Sequence, residues 1–435
     1  MIKYLHSLFP KGSKVLILGF GREGKSTYKL LHRNLPEIHL GIADASEIPH
    51  EKEWEGVDLH CGQGYLDAID NYDWVIKSPG VKLPAFPKEK ARKITSQTNL
   101  FLKIYGRQTI GVSGTKGKST TASLTYHLLK QTNRKVLLMG NIGLPAFDFI
   151  NDIEEDTVVV YELSAHQLQY VDHSPHVAVL INLFPEHLDF FENFETYRHA
   201  KENIFRFQQT GDIAFCGPGI KNSRCQLMSD IKKETEILFG STVKPATLLQ
   251  RTGLQGDHNL QNILLASKAA QSVGLTGDEI YAGLNGFKPL AHRLEEVGTY
   301  GGIRFVNDSI ATIPQATRAA VQTLGKVDAL ILGGFDRGLD YSCLVDFLAA
   351  SQIGNFFFLG KAGKRMFDLF GQKQTGQNLY KVTDLEEVFS ILKKSEKVHS
   401  CLLSPAAASY DQFHNFEHRG DRFKALAAAF RKGTQ

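Results

Sequence analysis

Gly111-Val-Ser-Gly-Thr-Lys-Gly-Lys-Ser-Thr120, followed by the helical pattern Thr121–Lys130, decides how this chain is read. A glycine-rich turn that closes on Gly-Lys-Ser at the start of a helix is how a backbone wraps polyphosphate. Its glycines let N–H groups approach the phosphates, its lysine adds positive charge, and its serine hydroxyl can ligate Mg²⁺. Gly114, Thr115, Lys116, Gly117, Lys118, Ser119 and Thr120 are therefore candidate ATP contacts. A rival loop, Gly19-Phe-Gly-Arg-Glu-Gly-Lys-Ser26, fits the spacing G-x-x-x-x-G-K-S better, because Val112 stands where that expression wants glycine. The rival also reads Gly19-x-Gly21-x-x-Gly24, the dinucleotide fingerprint, with Asp44 20 residues past Gly24, where a ribose-binding acid would fall.

The segments downstream of the two loops separate them. A nucleoside triphosphate site needs a carboxylate near its magnesium, usually at the end of a neighbouring strand. Beyond the second loop, the β-branched run Thr157-Val-Val-Val-Tyr-Glu162 ends on such an acid. Beyond the first, Tyr72–Lys77 runs into a Ser78-Pro-Gly80 turn with no acid at its tip. ATP is expected at 114–120, and the first loop is expected to hold a nucleotide that is only recognised.

Bulk properties bound the rest. A chain of 435 residues implies two to four domains, each with its own core. A net charge of +4 without a basic block argues against nucleic acid as the main partner. No run approaches 18 apolar residues, so the chain reads as cytoplasmic, neither exported nor in a membrane. Cys61, Cys216, Cys225, Cys343 and Cys401 lack metal-ligand spacing and read as reduced, mostly buried thiols. Strand-like runs alternate with helical stretches, the pattern of an α/β chain with parallel sheets. Three blocks stand out: strands near 14–19, 39–43 and 73–77; then near 109–113, 135–139, 157–162 and 177–182; then near 303–306, 328–332, 355–359 and 400–403. The first block ends near Pro87, a charged stretch Lys88–Lys93 comes next, and an amphipathic helix is expected over Asp421–Lys432.

The middle block also holds Asn141-Ile-Gly143, Glu186-His-Leu-Asp189, Lys201 and Gly256-Asp-His-Asn-Leu-Gln-Asn262. The third carries His292-Arg293, Asn307-Asp-Ser-Ile-Ala-Thr312, Gly333-Gly-Phe-Asp-Arg-Gly338 and Leu403-Ser-Pro-Ala-Ala-Ala-Ser-Tyr-Asp-Gln-Phe-His-Asn-Phe416. In this order, over the whole chain, these motifs resemble the Mur ligases, a family that uses the shorter phosphate-loop spacing found here. The resemblance implies three domains: a Rossmann-like UDP-binding domain (1–97), a central P-loop ATPase-like domain (98–296) and a Rossmann-like C-terminal domain (297–435). It implies ATP-dependent activation of a substrate carboxylate as an acyl phosphate, then displacement of phosphate by an amine. The members most similar in motif join glutamate to UDP-N-acetylmuramoyl-L-alanine and work as monomers.

Carried over position by position, the resemblance makes Lys118 the stabiliser of the transferring phosphoryl group. Ser119 and Glu162 become ligands of one Mg²⁺. His187 and Lys201 become ligands of a second, the lysine as its carbamate. Asn141 falls near the phosphoryl group and the muramoyl peptide. Asn259 and Asn262 fall on the adenine side of ATP, Arg293 near its phosphates and Asp308 on its ribose. UDP is expected at Gly19, Phe20, Gly21, Arg22, Gly24, Asp44, Ser78 and Gly80, which leaves Lys25-Ser26 a coincidental P-loop ending. Glutamate is expected at Thr312, Arg337, Ser409 and Phe416.

Two departures bear on the amino acid. Ile310 stands where the family usually has lysine, and Arg337 stands where a lysine usually grips the glutamate carboxylate. Arginine keeps the charge but binds carboxylates as a planar fork. D-glutamate is the expected amino acid, with L-glutamate as the alternative. A folylpolyglutamate synthase-like ligase would not need the first block. A nicotinamide-dependent dehydrogenase would leave everything after Gly111 unused, and a binding-only P-loop switch would leave Lys201 and Ser409–Phe416 idle.

Overall fold

The computed structural model describes every residue except 50, 51, 55, 85, 86, 142, 143, 189, 221, 229, 255, 289, 290, 374, 375, 396 and 432–435. Gly143, Asp189 and Lys432 of the sequence motifs thus lie outside the described residues. The chain divides into two compact units, Met1–Gly253 with Asp257–Phe287, and Leu254–Gly256 with Lys288–Gln435.

The first unit contains two parallel sheets. One takes β1 (Lys14–Leu18), β2 (His39–Asp44), β3 (Asp58–Cys61), β4 (Trp74–Lys77) and β5 (Ile94–Thr95) in the order β3-β2-β1-β4-β5. The chain winds outward from β1 to β3, then crosses back to β4. That reversal leaves a crevice at the carboxyl ends of β1 and β4, where open α/β sheets bind ligands. The sequence pattern ends this block near Pro87. The structure extends it, because Ile94 and Thr95 pair with Val75 and Ile76 of β4. Two residues carry too little periodicity to be read as a strand.

The second sheet takes β6 (Thr109–Ser113), β7 (Val136–Gly140), β8 (Val158–Glu162), β9 (Val177–Leu180), β10 (Ile213–Cys216) and β11 (Gln226–Leu227) in the order β11-β10-β9-β6-β8-β7. β6 through β9 read as near-continuous apolar runs because helices cover both faces of a parallel sheet. The two sheets share a continuous core, in which Leu5, Leu31, Leu100, Phe101, Phe147 and Tyr161 belong to one buried cluster. Polar ties run with it: Ser26 Oγ donates to Asp148 at 2.6 Å, and Gln97 Nε2 donates to Thr27 Oγ1 at 3.0 Å.

The second unit is built on β12 (Glu295–Tyr300), β13 (Ile303–Asn307), β14 (Ala329–Gly333), β15 (Asn355–Leu359), β16 (Asn378–Val382) and β17 (Ser400–Leu403). Their order is β12-β13-β17-β14-β15-β16, parallel except for the β12–β13 hairpin. The last helix is Phe416–Ala428, starting five residues before the expected Asp421. Asn415 sets that start, since its side chain accepts the His418 N–H as an N-cap.

The expectation of five free thiols is corrected. Cys216 and Cys225 form a disulfide with Cα atoms 5.6 Å apart. Cys216 pairs with Leu227 across β10 and β11, which brings the residue two before Leu227 alongside it. Cys401 is buried, Cys61 is half-buried and Cys343 is exposed. Among the described residues no helix is long and apolar enough to cross a membrane.

Candidate active site

The phosphate loop leaves the end of β6 and enters the helix Lys118–Lys130. Gly114 (φ +157°) and Gly117 (φ +86°) take left-handed backbone conformations, which side chains disfavour. A Cβ on Gly117 would also meet the side chain of Asn262, only 2.4 Å from its Oδ1. The helix His258–Ser272 therefore packs its buried Asn259 and Asn262, joined at 2.7 Å, directly against the loop. Thr115 and Lys116 are fixed from the other side. Their N–H groups donate to Asn182 O (3.0 Å) and Asn182 Oδ1 (2.9 Å), and Tyr197 Oη donates to Thr115 Oγ1 at 3.1 Å. Lys118 folds back so that its Nζ donates to Thr115 O at 3.0 Å.

β8 lies next to β6 with Glu162 opposite Val112, so its carboxylate emerges beside the loop. Glu162 is fully buried. Its Oε1 accepts from Asn141 Nδ2 at 2.9 Å, while its Oε2 is buried with no hydrogen-bond partner. A desolvated carboxylate oxygen left unpaired is costly, and a cation at this point would satisfy it. The carboxylate thus fits the coordination of a divalent ion.

Lys201 comes from the helix Phe194–Arg206 and is 2% exposed. Its Nζ donates to Gly114 O at 2.8 Å and lies over the Tyr197 ring. Burial, reinforced by the nearby Lys118 charge, holds its amine well below the usual lysine range. A neutral amine is the form that adds CO₂, so the environment suits a carbamate. His187 sits on the loop after β9 in a left-handed conformation (φ +56°), pinned by Phe190 and Phe191 N–H groups that donate to its carbonyl. Its ring packs against His166, with centroids 5.0 Å apart. Glu186 beside it pairs with Lys116. Among the described residues no three His, Cys, Asp or Glu side chains form a ready-made metal cluster.

A cavity of about 390 Å³ opens at the β1/β4 crevice. Gly19, Gly21, Arg22, Asp44, Ser78 and Gly80 line it, together with Asn141, Ser164 and Gln167 from the central sheet. A Cβ on Gly24 would lie 2.1 Å from Gly19 O, so helix and turn can approach only without one. The Phe20 N–H donates to Asp44 at 2.6 Å, and Ser78 Oγ closes the turn on Gly19 O at 2.6 Å. The P-loop-like ending is used otherwise: Lys25 Nζ lies over the Trp54 and Phe20 rings, and Ser26 is committed to Asp148. Neither is aimed at the cradle.

Two buried charges flank this cavity that sequence reasoning passes over. Burial pushes the Glu23 carboxyl up to about 7, against the pull of Gln167, Lys77 and Arg22. Burial brings Lys77 down to about 8, and its Nζ donates to Ser78 O and Pro79 O. Tyr197 had a usable signal, lying four residues before Lys201 on the same helical face. The links of Asn182 and Glu23 to the site had none, because their partners are 66 to 144 residues away.

In the second unit, Arg337 donates to Thr312 O at 2.7 Å. Asp308 is buried, accepts from Ser404 Oγ (2.8 Å) and the Leu294 N–H (3.2 Å), and is raised by burial to about 7. Arg293 follows His292 at the start of this unit, and its Nε is buried without a partner. Ser409 is buried, and the Phe416 carbonyl accepts from Ser309 Oγ at 2.8 Å. Arg419, 1% exposed, ties these loops together by donating to Ser309 O, Ala407 O and Ala408 O.

A phosphate loop and an unpaired carboxylate oxygen at adjacent strand ends, a buried lysine reaching the loop from a helix, and a nucleotide-sized crevice beside them are the features of a Mur-type ligase. Residues 112–241 match the family model of the Mur ligase middle domain, and the chain belongs to the Mur ligase family. Within it, the chain belongs with the UDP-N-acetylmuramoylalanine–D-glutamate ligases. It is 31% identical over 449 residues to that enzyme of Clostridium botulinum (strain Hall), covering 96% of this chain and 97% of the relative. It is 34% identical over 446 residues to that of Desulfitobacterium hafniense (strain Y51), covering 95% and 97%. Among solved structures, MurF from Acinetobacter baumannii superposes with a TM-score of 0.57 at 15% identity, covering 98% of each chain. Folylpolyglutamate synthase from Mycobacterium tuberculosis reaches 0.54 at 13% identity but covers only 76% of this chain. At such identities the likeness is one of fold.

Proposed function

We propose that this chain uses ATP to join D-glutamate to the alanyl carboxylate of UDP-N-acetylmuramoyl-L-alanine, a step of peptidoglycan-precursor synthesis in the cytoplasm. Family membership over nearly the whole length supports the reaction class. The observation that carries the site assignment is the buried, unpaired Oε2 of Glu162 beside the phosphate loop.

The substrate carboxylate attacks the γ-phosphorus of ATP and ADP leaves. The glutamate amine then attacks the acyl carbon, phosphate leaves and the amine loses a proton. The residues supply charge neutralisation and position. Backbone N–H groups of Gly114–Ser119 cradle the phosphates, and Lys118 turns from Thr115 O toward the transferring group. Ser119 and Glu162 would hold one Mg²⁺, and His187 and carbamylated Lys201 would hold a second. Such ions would supply positive charge for the phosphoryl transfer. Asn141, held by Glu162, orients the reacting end of the muramoyl arm. Gly19–Gly24, Asp44 and the Ser78–Gly80 turn hold the UDP end. Asn259 and Asn262 meet adenine, Asp308 the ribose and Arg293 the phosphates. Thr312, Arg337, Ser409 and Phe416 receive glutamate.

The test is phosphate release with ATP, Mg²⁺ and UDP-N-acetylmuramoyl-L-alanine, comparing D-glutamate, L-glutamate and no amino acid. Release with D-glutamate alone, with a product heavier by one glutamyl residue, is the expected result. Release with L-glutamate alone would overturn the stereochemical assignment and direct attention to Ile310 and Arg337. Silence with both would sink the reading.

A further inference from the structure

Glu23 is the second residue of the helix Arg22–Asn34, inside the glycine turn, and it lines the 390 Å³ cavity. Its Oε1 accepts from Gln167 Nε2 at 2.6 Å, a contact across 144 residues that joins the first sheet's turn to the central sheet. Gln167 is held at its other end as well. Its Oε1 accepts from the Ser164 N–H at 2.9 Å and from Ser164 Oγ at 3.1 Å, within a capping box that starts the helix Ala165–Leu168. Ser164 stands two residues beyond Glu162. A chain of hydrogen bonds thus runs from the nucleotide turn to the strand end that carries the candidate magnesium ligand.

The chemistry of an amide makes this arrangement directional. A carboxamide has one acceptor end and one donor end, and its two faces can exchange by a flip unless neighbours distinguish them. Glu23 accepts at Nε2 and Ser164 donates at Oε1, so only one orientation satisfies both. Gln167 Nε2 carries two hydrogens, and Glu23 Oε1 engages one. Gln167 lines the cavity together with Asn141 and Ser164, on the side the muramoyl arm must cross to reach the phosphate loop. Lys77, whose Nζ holds the Ser78–Pro79 turn, supplies an opposite charge that partly offsets the burial of the Glu23 carboxyl.

We propose that Glu23 is a positioning residue for the muramoyl nucleotide: it fixes the Gln167 amide so that the second Nε2–H is presented to an oxygen of the sugar–peptide arm. This rests on the function proposed above. Glu23 acts through Gln167 and does not itself take part in bond making.

The test is steady-state kinetics with each substrate varied in turn, on the wild type, Glu23→Ala, Glu23→Gln and the double variant in which Glu23→Gln is combined with Gln167→Glu. In Glu23→Ala the KM for the muramoyl nucleotide rises roughly tenfold, the scale of one hydrogen bond of about 1.4 kcal/mol. kcat and the KM for ATP stay within about twofold. Glu23→Gln keeps an acceptor for Nε2 and recovers most of the loss. The double variant decides between support and presentation. In it the carboxylate now at position 167 still caps Ser164 and accepts from the amide now at position 23, so the fold and its melting temperature are kept. It leaves no donor at position 167, however, and the KM stays raised. An unchanged KM in Glu23→Ala, equal losses in Glu23→Ala and Glu23→Gln, or a double variant that restores the KM would each overturn the proposal. A wild type that fails to turn over the muramoyl nucleotide would instead sink the proposed function.

Discussion

Replacing Lys201 by methionine should abolish activity yet make the protein more stable. The side chain is 2% exposed, and burial with Lys118 nearby holds its amine well below 10.5. The unfolded chain therefore binds a proton that the folded chain has released. When the unfolded state binds more protons, stability rises with pH, by about 1.4 kcal/mol per unit between the folded value and 10.5. Below 10.5 the unfolded amine must give up its proton to fold, at a cost that grows as pH falls. Methionine fills similar volume without that cost, but forfeits the hydrogen bond to Gly114 O, about 1 kcal/mol. Lys201→Met should thus gain stability relative to the wild type as pH falls below 10.5, by up to about 1.4 kcal/mol per unit for as long as the folded amine stays neutral. Urea denaturation of both proteins at several pH values, in bicarbonate-free buffer, measures the difference. Parallel curves, or an advantage that grows with pH, would refute the assignment of a neutral buried amine. Phosphate release by the variant should fall at least ~1000-fold, as expected when a metal ligand at the reacting group is lost.

Glu162→Gln keeps an acceptor for Asn141 but removes the charge, so phosphate release should drop ~100-fold or more, and the Mg²⁺ needed for half-activity should rise in a titration. Gly24→Ala puts a Cβ 2.1 Å from Gly19 O, a backbone atom that cannot swing away, and should cost ~3 kcal/mol or more, read as a lowered melting temperature. For Asp308, the folded value of about 7 stands above the ordinary 3.8, so its contribution to stability falls as pH rises from about 4 to 7. Asp308→Asn should flatten that part of the pH–stability profile while raising the KM for ATP. Arg337→Ala should raise the KM for glutamate ~10-fold with the other substrates unaffected, and Arg337→Lys should recover part of the loss.

Most of the sheet framework was legible in the sequence, because parallel strands covered on both faces are runs of apolar residues that need no partner to be recognised. Val158–Glu162 and Val177–Leu180 are such runs. β3, β5, β10, β11, β12 and β16 were not, since they are short or only half-covered strands whose residues carry little pattern. The disulfide escaped because it depends on β11 returning beside β10. The same division holds at the site. Lys118, Ser119 and Glu162 announce themselves by spacing, as local geometry built by neighbouring residues. Glu23, Gln167 and Asn182 are ordinary polar residues in sequence, and long-range contacts join them to the site.

Residues within a few positions of one another settle that this chain wraps a polyphosphate after one strand, recognises a nucleotide after another, and has α/β sheets to present both. Those properties rest on backbone conformations that glycine permits and on short-range periodicity, so they are present in the unfolded chain as a pattern. Desolvation of particular charges is not, because it depends on segments far apart in the chain closing over them. In sequence, nothing shows that Lys201 and Glu162 will be cut off from water. Folding removes water from both, leaves one amine short of its proton and one carboxylate oxygen short of a partner, and so sets the electrostatic demand that a metal site and its chemistry would meet.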